Sequence, residues 1–327
     1  MTTKLRIGYV PEHFSLPILQ LAKSAWGQDH LELIPQPSGT GQMLTSFNAE
    51  DPSLRKIDIA IALTEALIAG IAKGRTDYEL TGTYVASSLN WAVITGTDEK
   101  ASMYNSIDDL RGGKIGISRI GSGSQIMASV MALQHGWTDS DGSVQEIEFK
   151  VNDTFENLRK GVNQVEGLET SAFMWEWFTT KPFVDSKEVR FIGNVPTPWP
   201  SWTIAYSKSL SPSTKTVLNQ FLNRLQEIIK DFTSSNNEAE SLLSITNQMG
   251  YPREDVESWW AGVRWVQDQR SPLPSSASMK GQESTTETVS KSVLQQTLDV
   301  LEKAGVVQKP AGGWDYTCFV AADKLVD

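Results

Sequence analysis

Short apolar, β-branched runs alternate with amphipathic runs over the first two thirds of the chain, and that rhythm predicts its elements. KLRIGYV (4–10), LELIPQ (31–36) and IDIAIAL (57–63) read as strands. ILQLAKSAWG (18–27), QMLTSFNA (42–49) and TEALIAGIAKG (64–74) read as the helices that follow them. Three strand–helix units in succession predict an α/β architecture with a mainly parallel sheet. The rhythm restarts with WAVITG (91–96). A short helix, a turn and a strand follow in SIDDLRGGKIGIS (106–118), then a Gly/Ser loop and helix in GSGSQIMASVMALQHG (121–136). Strands are expected at 144–151, 170–176, 188–195 and 201–207, with a helix at 155–162. From about residue 212 the period becomes helical, with runs at 214–232, 238–250, 253–268 and 291–305 and a Ser/Pro/Thr-rich loop over 270–288. The plan is one α/β unit, a second α/β unit, then helices. Asn90–Trp91 and Ser201–Trp202 mark where the chain crosses between units.

In open α/β sheets ligands bind beyond the carboxyl ends of the strands. That rule selects Glu12, His13 and Phe14 after the first strand, Gly39, Thr40 and Gly41 after the second, and Thr64 and Glu65 after the third. In the second unit it selects Ser122, Gly123, Ser124, Trp175 and Glu176, and the crossovers add Asn90, Trp91, Ser201 and Trp202. PSGTG (37–41) and GSGS (121–124) each set glycine and hydroxyl residues before a helix, where free N–H groups accept an anionic group. Plain N-capping is the simpler role for the same residues. Neither loop is a Walker A motif, and Ile126 stands where a G-x-G-x-x-G fingerprint needs its third glycine. SAFMWEWFTTKPF (171–183) sets Glu176 between two tryptophans at a strand end. A carboxylate there is expensive to bury alone, and aromatics beside one polar group suit a small-molecule pocket. Trp259, Trp260 and Trp265, at helical spacing, read as packing.

Composition narrows the function. A net charge of −10 and no Lys/Arg cluster argue against a nucleic-acid binder. One cysteine, Cys318, excludes an intramolecular disulfide and any CxxC pair. The three histidines are not spaced as metal ligands, and no GxSxG or HExxH occurs. No cofactor is expected. MTTKLRIGYVPEHF does not read as a secretory leader, and no apolar run reaches membrane-helix length, so a cytoplasmic protein without membrane insertion is expected.

LRIGYVPEHFSLPILQLA, IDIAIALTEALIAGIAKG, DLRGGKIGISRIGSGSQIMA and FMWEWFTTKP with PWPSW together resemble the type 2 periplasmic-binding-protein fold. The branch they resemble is related to sulfonate-, nitrate- and thiamine-pyrimidine-binding proteins, within a group of fungal and bacterial proteins that includes a Candida member. The resemblance spans roughly residues 4–210. It implies two lobes with a ligand cleft between them, 1–91 plus 204–327 forming the first and 92–203 the second, closing about the two crossovers. The expectation is non-catalytic binding of a small organic metabolite that carries acidic and hydrogen-bond-donor groups. An enzyme of thiamine-precursor or sulfur metabolism, using Glu176, His13 or Glu12, and the solute-binding component of a transporter are the alternatives.

Overall fold

The computed structural model describes residues 4–47, 56–271 and 284–327. The chain lays down β1 (Leu5–Tyr9), β2 (Leu31–Pro35), β3 (Ile59–Leu63), β4 (Tyr78–Val85), β5 (Asn90–Thr95), β6 (Lys114–Ile117), β7 (Glu148–Val151), β8 (Ala172–Glu176), β9 (Arg190–Pro196) and β10 (Trp202–Ser207). They form two five-stranded sheets, ordered β2-β1-β3-β10-β4 and β7-β6-β8-β5-β9. In the first, β1 is parallel to β2 and β3, and β10 is antiparallel to β3 and β4. The second repeats that plan, with β5 antiparallel to β8 and β9. Each sheet thus holds four strands of one direction and one reversed strand. The reversed strand is in each case the one that follows a crossover, at residues 86–89 and 197–201.

Continuous apolar runs become strands because both their faces are covered. All five residues of β3, IAIAL, are buried. The helices between strands are α1 (Leu16–Lys23), α2 (Ala25–His30), α3 (Thr40–Ser46), α4 (Thr64–Ala72), α5 (Gly123–Gln134), α6 (Phe155–Val162) and α7 (Trp177–Asp185). After β10 come α8 (Pro212–Phe232), α9 (Glu238–Met249), α10 (Arg253–Gly262) and α11 (Lys291–Lys303). The amphipathic α8 buries Leu218, Phe221, Leu222, Leu225, Ile229 and Phe232, a stripe at helical spacing, and packs on α1 and β1. α11 packs on α4 and α5, touching elements that flank both sheets. A short pair, β11 (Val289–Ser290) with β12 (Leu325–Val326), completes the chain. Among the described residues no helix is long and apolar enough to cross a membrane.

Three expected helices change their bounds, the strand expected over 144–151 shortens to Glu148–Val151, and one strand was not expected. The helix expected over 18–27 breaks at Ser24, whose extended backbone (φ −65°, ψ 158°) and side chain cap α2 by accepting from the Gly27 N–H. The helix expected over 42–49 starts earlier, at Thr40, and residues 48 and 49 lie outside the described residues. The helix expected over 253–268 stops at Gly262; Trp265 lies beyond it, in an antiparallel bridge with Val85. β4 was not read from the sequence. Its Glu79, Thr81, Gly82 and Thr83 dilute the apolar pattern, and its outer edge is covered by distant segments: the Leu80 N–H donates to Phe319 O and the Thr83 N–H to Thr285 O. Gly82 permits that cover, since a Cβ there would lie 2.0 Å from Thr286 O. Of the loop expected over 270–288, residues 272–283 lie outside the described residues.

Candidate ligand cleft

The carboxyl ends of β1, β2 and β3 face those of β6 and β8, and a recess of about 380 Å³ of atom-free space, its open mouth included, lies between them. The first sheet supplies Val10, Glu12, Ser38, Gly39, Thr40, Leu63 and Trp202 to its lining; the second supplies Trp91, Ser118, Ser122, Gly123, Ser124, Trp175 and Glu176, and Leu89 comes from the first crossover. Glycine sets the approach of the two sides. A Cβ on Gly123 would lie 2.4 Å from Leu63 Cδ1 and 3.0 Å from the Trp91 ring, and one on Gly41 would lie 3.2 Å from Arg119 Cβ.

Local chemistry positions each wall. Ser122 is the N-cap of α5, its hydroxyl accepting from the Gln125 N–H and meeting the Ser124 hydroxyl at 2.9 Å. Ser124 Oγ accepts from the Ser118 N–H at 3.2 Å, which holds the β6–α5 loop against its strand. Opposite, Thr40 Oγ1 accepts from the Leu63 N–H at 3.0 Å and fixes the start of α3 to the end of β3. Three indoles reach the recess, Trp91, Trp175 and Trp202. The Nε1 atoms of Trp91 and Trp202 are buried and have no hydrogen-bond partner among the described residues. Trp175 stacks on Phe155 (centroids 5.2 Å apart, 26° between planes) and donates its N–H across the cleft to Glu12 Oε1 at 3.3 Å.

Glu12 and Glu176 meet at the recess from opposite sheets. Burial, reinforced by the nearby Glu176, pushes the Glu12 carboxyl up to about 8. Burial raises Glu176 to about 7, against the Thr179 and Phe178 N–H groups that favour its charged form. One Glu176 oxygen accepts from the Thr179 N–H at 2.7 Å, so this carboxylate caps α7 as well as lining the recess. Its distance to His13 Nε2 is 3.7 Å. The His13 ring is buried among Phe14, Tyr251 and Trp259, which lowers its pKa to about 3 and keeps it neutral.

Of the seventeen residues the sequence selects, the recess is lined by Glu12, Gly39, Thr40, Trp91, Ser122, Gly123, Ser124, Trp175, Glu176 and Trp202. The others stand elsewhere. His13 lines a small separate cavity with Phe178, Tyr251, Asp255 and Trp259. Phe14 packs edge-on against Trp259 and tilted against Trp202. Gly41 is the second residue of α3, against Arg119. The Thr64 hydroxyl is tied to Thr203 Oγ1 at 2.7 Å. Glu65 is fully buried, its Oε2 accepting from Trp199 Nε1 at 2.8 Å, and burial raises its pKa to about 7. Asn90 Oδ1 accepts from Asn194 Nδ2, and the Ser201 N–H donates to Ser87 O. Ser38, which also lines the recess, belongs to the PSGTG loop already singled out; Val10, Leu63, Leu89 and Ser118 were not selected. Val10, Leu63 and Ser118 lie at or just past strand ends, the signal that found the rest; Leu89 carries no polar signal at all.

Similarity searches place this architecture. The profile of the Ca3427-like periplasmic-binding-protein family matches residues 91–195. Among solved structures, the CA3427 gene product of Candida albicans, described as defining a new family with the generic periplasmic-binding-protein fold, is 31% identical. The alignment covers 95% of this chain and 92% of the Candida chain, with a TM-score of 0.77. The alkanesulfonate-binding protein SsuA of Xanthomonas axonopodis pv. citri, bound to MOPS, is 16% identical over 99% of this chain and 98% of its own (TM-score 0.61). The periplasmic nitrate-binding protein NrtA of Synechocystis PCC 6803 is 14% identical over 95% and 83% (TM-score 0.63). No curated protein sequence matches the chain.

Proposed function

This chain belongs to the Ca3427-like family of proteins with the periplasmic-binding-protein fold, and from that premise we propose that it binds, without turnover, a small organic metabolite clasped between two lobes. The observation that carries the reading is the recess itself, lined from both sheets by polar strand-end residues and by indoles with unpartnered N–H groups. The lobes in this reading are 1–91 with 204–327, and 92–203, and they close by rotation about residues 86–89 and 197–201. Ser122, Ser124 and the start of α5 receive the acceptor or acidic end of the ligand, and Glu12 receives its donor end. The relatives named for alkanesulfonate and nitrate put oxyanions in this fold, and a sulfonate-type or thiamine-precursor ligand is one candidate for this chain. We place the protein in the cytoplasm, where its one cysteine, the exposed Cys318, stays reduced.

Native mass spectrometry of gently purified protein is expected to show a bound small molecule that unfolding releases, with small-angle scattering showing compaction when it is added back. Protein that carries nothing and binds nothing from a broad metabolite panel would end this reading. A second reading is an enzyme. The observation favouring it is that Glu12 and Glu176, raised to about 8 and 7, stay partly protonated at neutral pH, as a general acid must. Chemical change of the recovered molecule during incubation would favour that reading over simple binding.

A further inference from the structure

The charge of the recess is unbalanced. Two carboxyl groups line it, Glu12 and Glu176, and among the described residues no lysine or arginine does. Arg119, at the rim, pairs its guanidinium with Asp153 at 2.6 Å. His13 lies behind Glu176 rather than in the recess, with both ring nitrogens lacking a hydrogen-bond partner. Tyr251 also faces the two carboxyls, and its hydroxyl is engaged with Thr179 Oγ1 at 3.3 Å. Behind Tyr251, Lys181 is paired with Asp255 at 3.0 Å and with Asp185. Arg119 keeps one buried donor, its Nε, without a partner among the described residues, but it is not in the lining; Lys181 is paired elsewhere, and the two buried carboxyls repel one another. The walls beside them are the rings of Trp91, Trp175 and Trp202. Carboxyls set among indole faces suit a positively charged nitrogen, which is attracted by both. An independent observation concerns the rest of the ligand. Trp91 and Trp202, one on each sheet, line the recess, and their buried N–H groups have no acceptor among the described residues.

We propose that the ligand is a small organic cation that also carries a hydrogen-bond acceptor, its charged nitrogen held by Glu12 and the aromatic walls and its acceptor end received by the start of α5 together with the Trp91 and Trp202 N–H groups. Glu12 is the primary partner: the bond it accepts from the Trp175 N–H is long at 3.3 Å, whereas Glu176 accepts from the Thr179 N–H at 2.7 Å and caps α7. The inference rests on the binding reading above and adds the charge of the ligand. It sets this recess apart from one built for a simple oxyanion.

Calorimetry at pH 8 decides it with four probes. Choline and glycine betaine carry a quaternary nitrogen with an acceptor, 3,3-dimethylbutan-1-ol is the neutral isostere of choline, and methanesulfonate is a plain oxyanion. A parallel panel contains primary amines and amidines of similar size, with anions matched to them. Cations should bind at least tenfold tighter than their neutral isosteres, and Glu12→Gln should abolish the difference. Should Glu12→Gln fail to fold, the wild type still decides. Cation affinity should rise at least tenfold between pH 6 and pH 8.5, as carboxyls raised to about 8 and 7 ionise. Binding by anions or neutral compounds alone, or cation binding indifferent to pH, overturns this inference and leaves the binding reading intact. Binding by no class of probe, with no molecule co-purifying, overturns both.

Discussion

The two sheets share one strand plan but are enclosed to different degrees. In the first, β3 and β10 are buried along their whole length, and only one residue of β4 is not. α8, α11 and the segments around 264–266, 285–290 and 319–320 wrap it. In the second, β7 and β9 each keep exposed residues, and the face toward α6 has its own small cluster of Ala92, Ile94, Leu158, Val162, Phe173, Trp175 and Val189. The wall of the recess on the first sheet is therefore set in deep packing, whereas the wall on the second carries serine loops, the Trp91 and Trp175 indoles and Glu176 on a less enclosed sheet. The difference teaches where to look for each kind of effect. Disturbing the first wall should be read mainly as lost stability, and disturbing the second as lost fit.

Trp259→Ala tests the first half of that contrast and should have the largest effect. Trp259 is 4% exposed, edge-on to His13 (centroids 4.4 Å apart) and to Phe14 (5.3 Å). Removing a buried indole costs about 3–5 kcal/mol. Urea unfolding should show that loss with the folded protein still binding ligand. A loss below 1 kcal/mol would mean the first wall is not supported from behind.

Three buried carboxyls, two of them on the walls, predict a pH dependence of roughly 3 kcal/mol between pH 6.5 and 8.5. Glu12, Glu65 and Glu176 are raised by burial to about 8, 7 and 7, so the folded state holds their protons more tightly than the unfolded chain does. Their contribution is complete below about pH 4.5 and is lost as pH rises through 7 to 8. His13, lowered to about 3, acts in the opposite sense: its contribution is present above about 6.5 and is lost as pH falls toward 3. Between pH 6.5 and 8.5 only the carboxyls among these four change, so the ligand-free protein should melt at lower temperature at pH 8.5. Glu12→Gln should flatten that slope more than Glu65→Gln does. A melting temperature that rises across this window, or an unchanged slope in Glu12→Gln, would show that Glu12 is not held as the structure has it.

Much of the strand plan was legible in the sequence, and the reasons differ by residue. Continuous or alternating apolar runs announced β1, β3, β5, β8 and β10, and strand ends then pointed to Glu12, Ser122 and Trp175. β4 was not legible, because its neighbours in space, Thr285, Trp265 and Phe319, come from far along the chain and Thr81 and Thr83 are buried without an apolar signature. Glu65 follows a strand as Glu12 does, and only the fold shows that Trp199 occupies its carboxylate. The helix cap made by Glu176 was equally hidden: the sequence shows a glutamate at a strand end but not that α7 begins on the next residue.

Gly123→Ala probes the second wall, and its effect should be smaller and of another kind. The added Cβ would lie 2.4 Å from Leu63 Cδ1, on the opposite side of the recess, and 3.0 Å from the Trp91 ring. Gly123 is the first residue of α5, where alanine is well tolerated, so stability should change by less than about 1 kcal/mol. The methyl group should wedge the walls apart, weakening ligand binding about tenfold or more and raising the radius of gyration of the ligand-bound protein. Unchanged affinity would mean that the walls do not need their present closeness to hold a ligand.

The smallest effect should come from Asn90→Ala, and the contrast with its neighbour makes it informative. Successive residues of a strand point to opposite faces. Trp91 reaches the recess, whereas Asn90 is half-buried, accepts from Asn194 Nδ2 at 2.8 Å across the β5–β9 pair and is absent from the lining. A partly solvated side-chain bond of this kind is worth about 0.5 kcal/mol or less once water replaces it. Asn90→Ala should therefore leave ligand affinity within about twofold of wild type and stability nearly unchanged. Trp91→Phe keeps an aromatic wall but deletes the unpartnered N–H, and should weaken a ligand whose acceptor that N–H receives, by about 1 kcal/mol. Titrating both variants with the same ligand separates the two faces of one strand. Should Asn90→Ala lose affinity while Trp91→Phe keeps it, the ligand does not sit between these walls, and the half-exposed face of β5 toward β9 becomes the surface to examine.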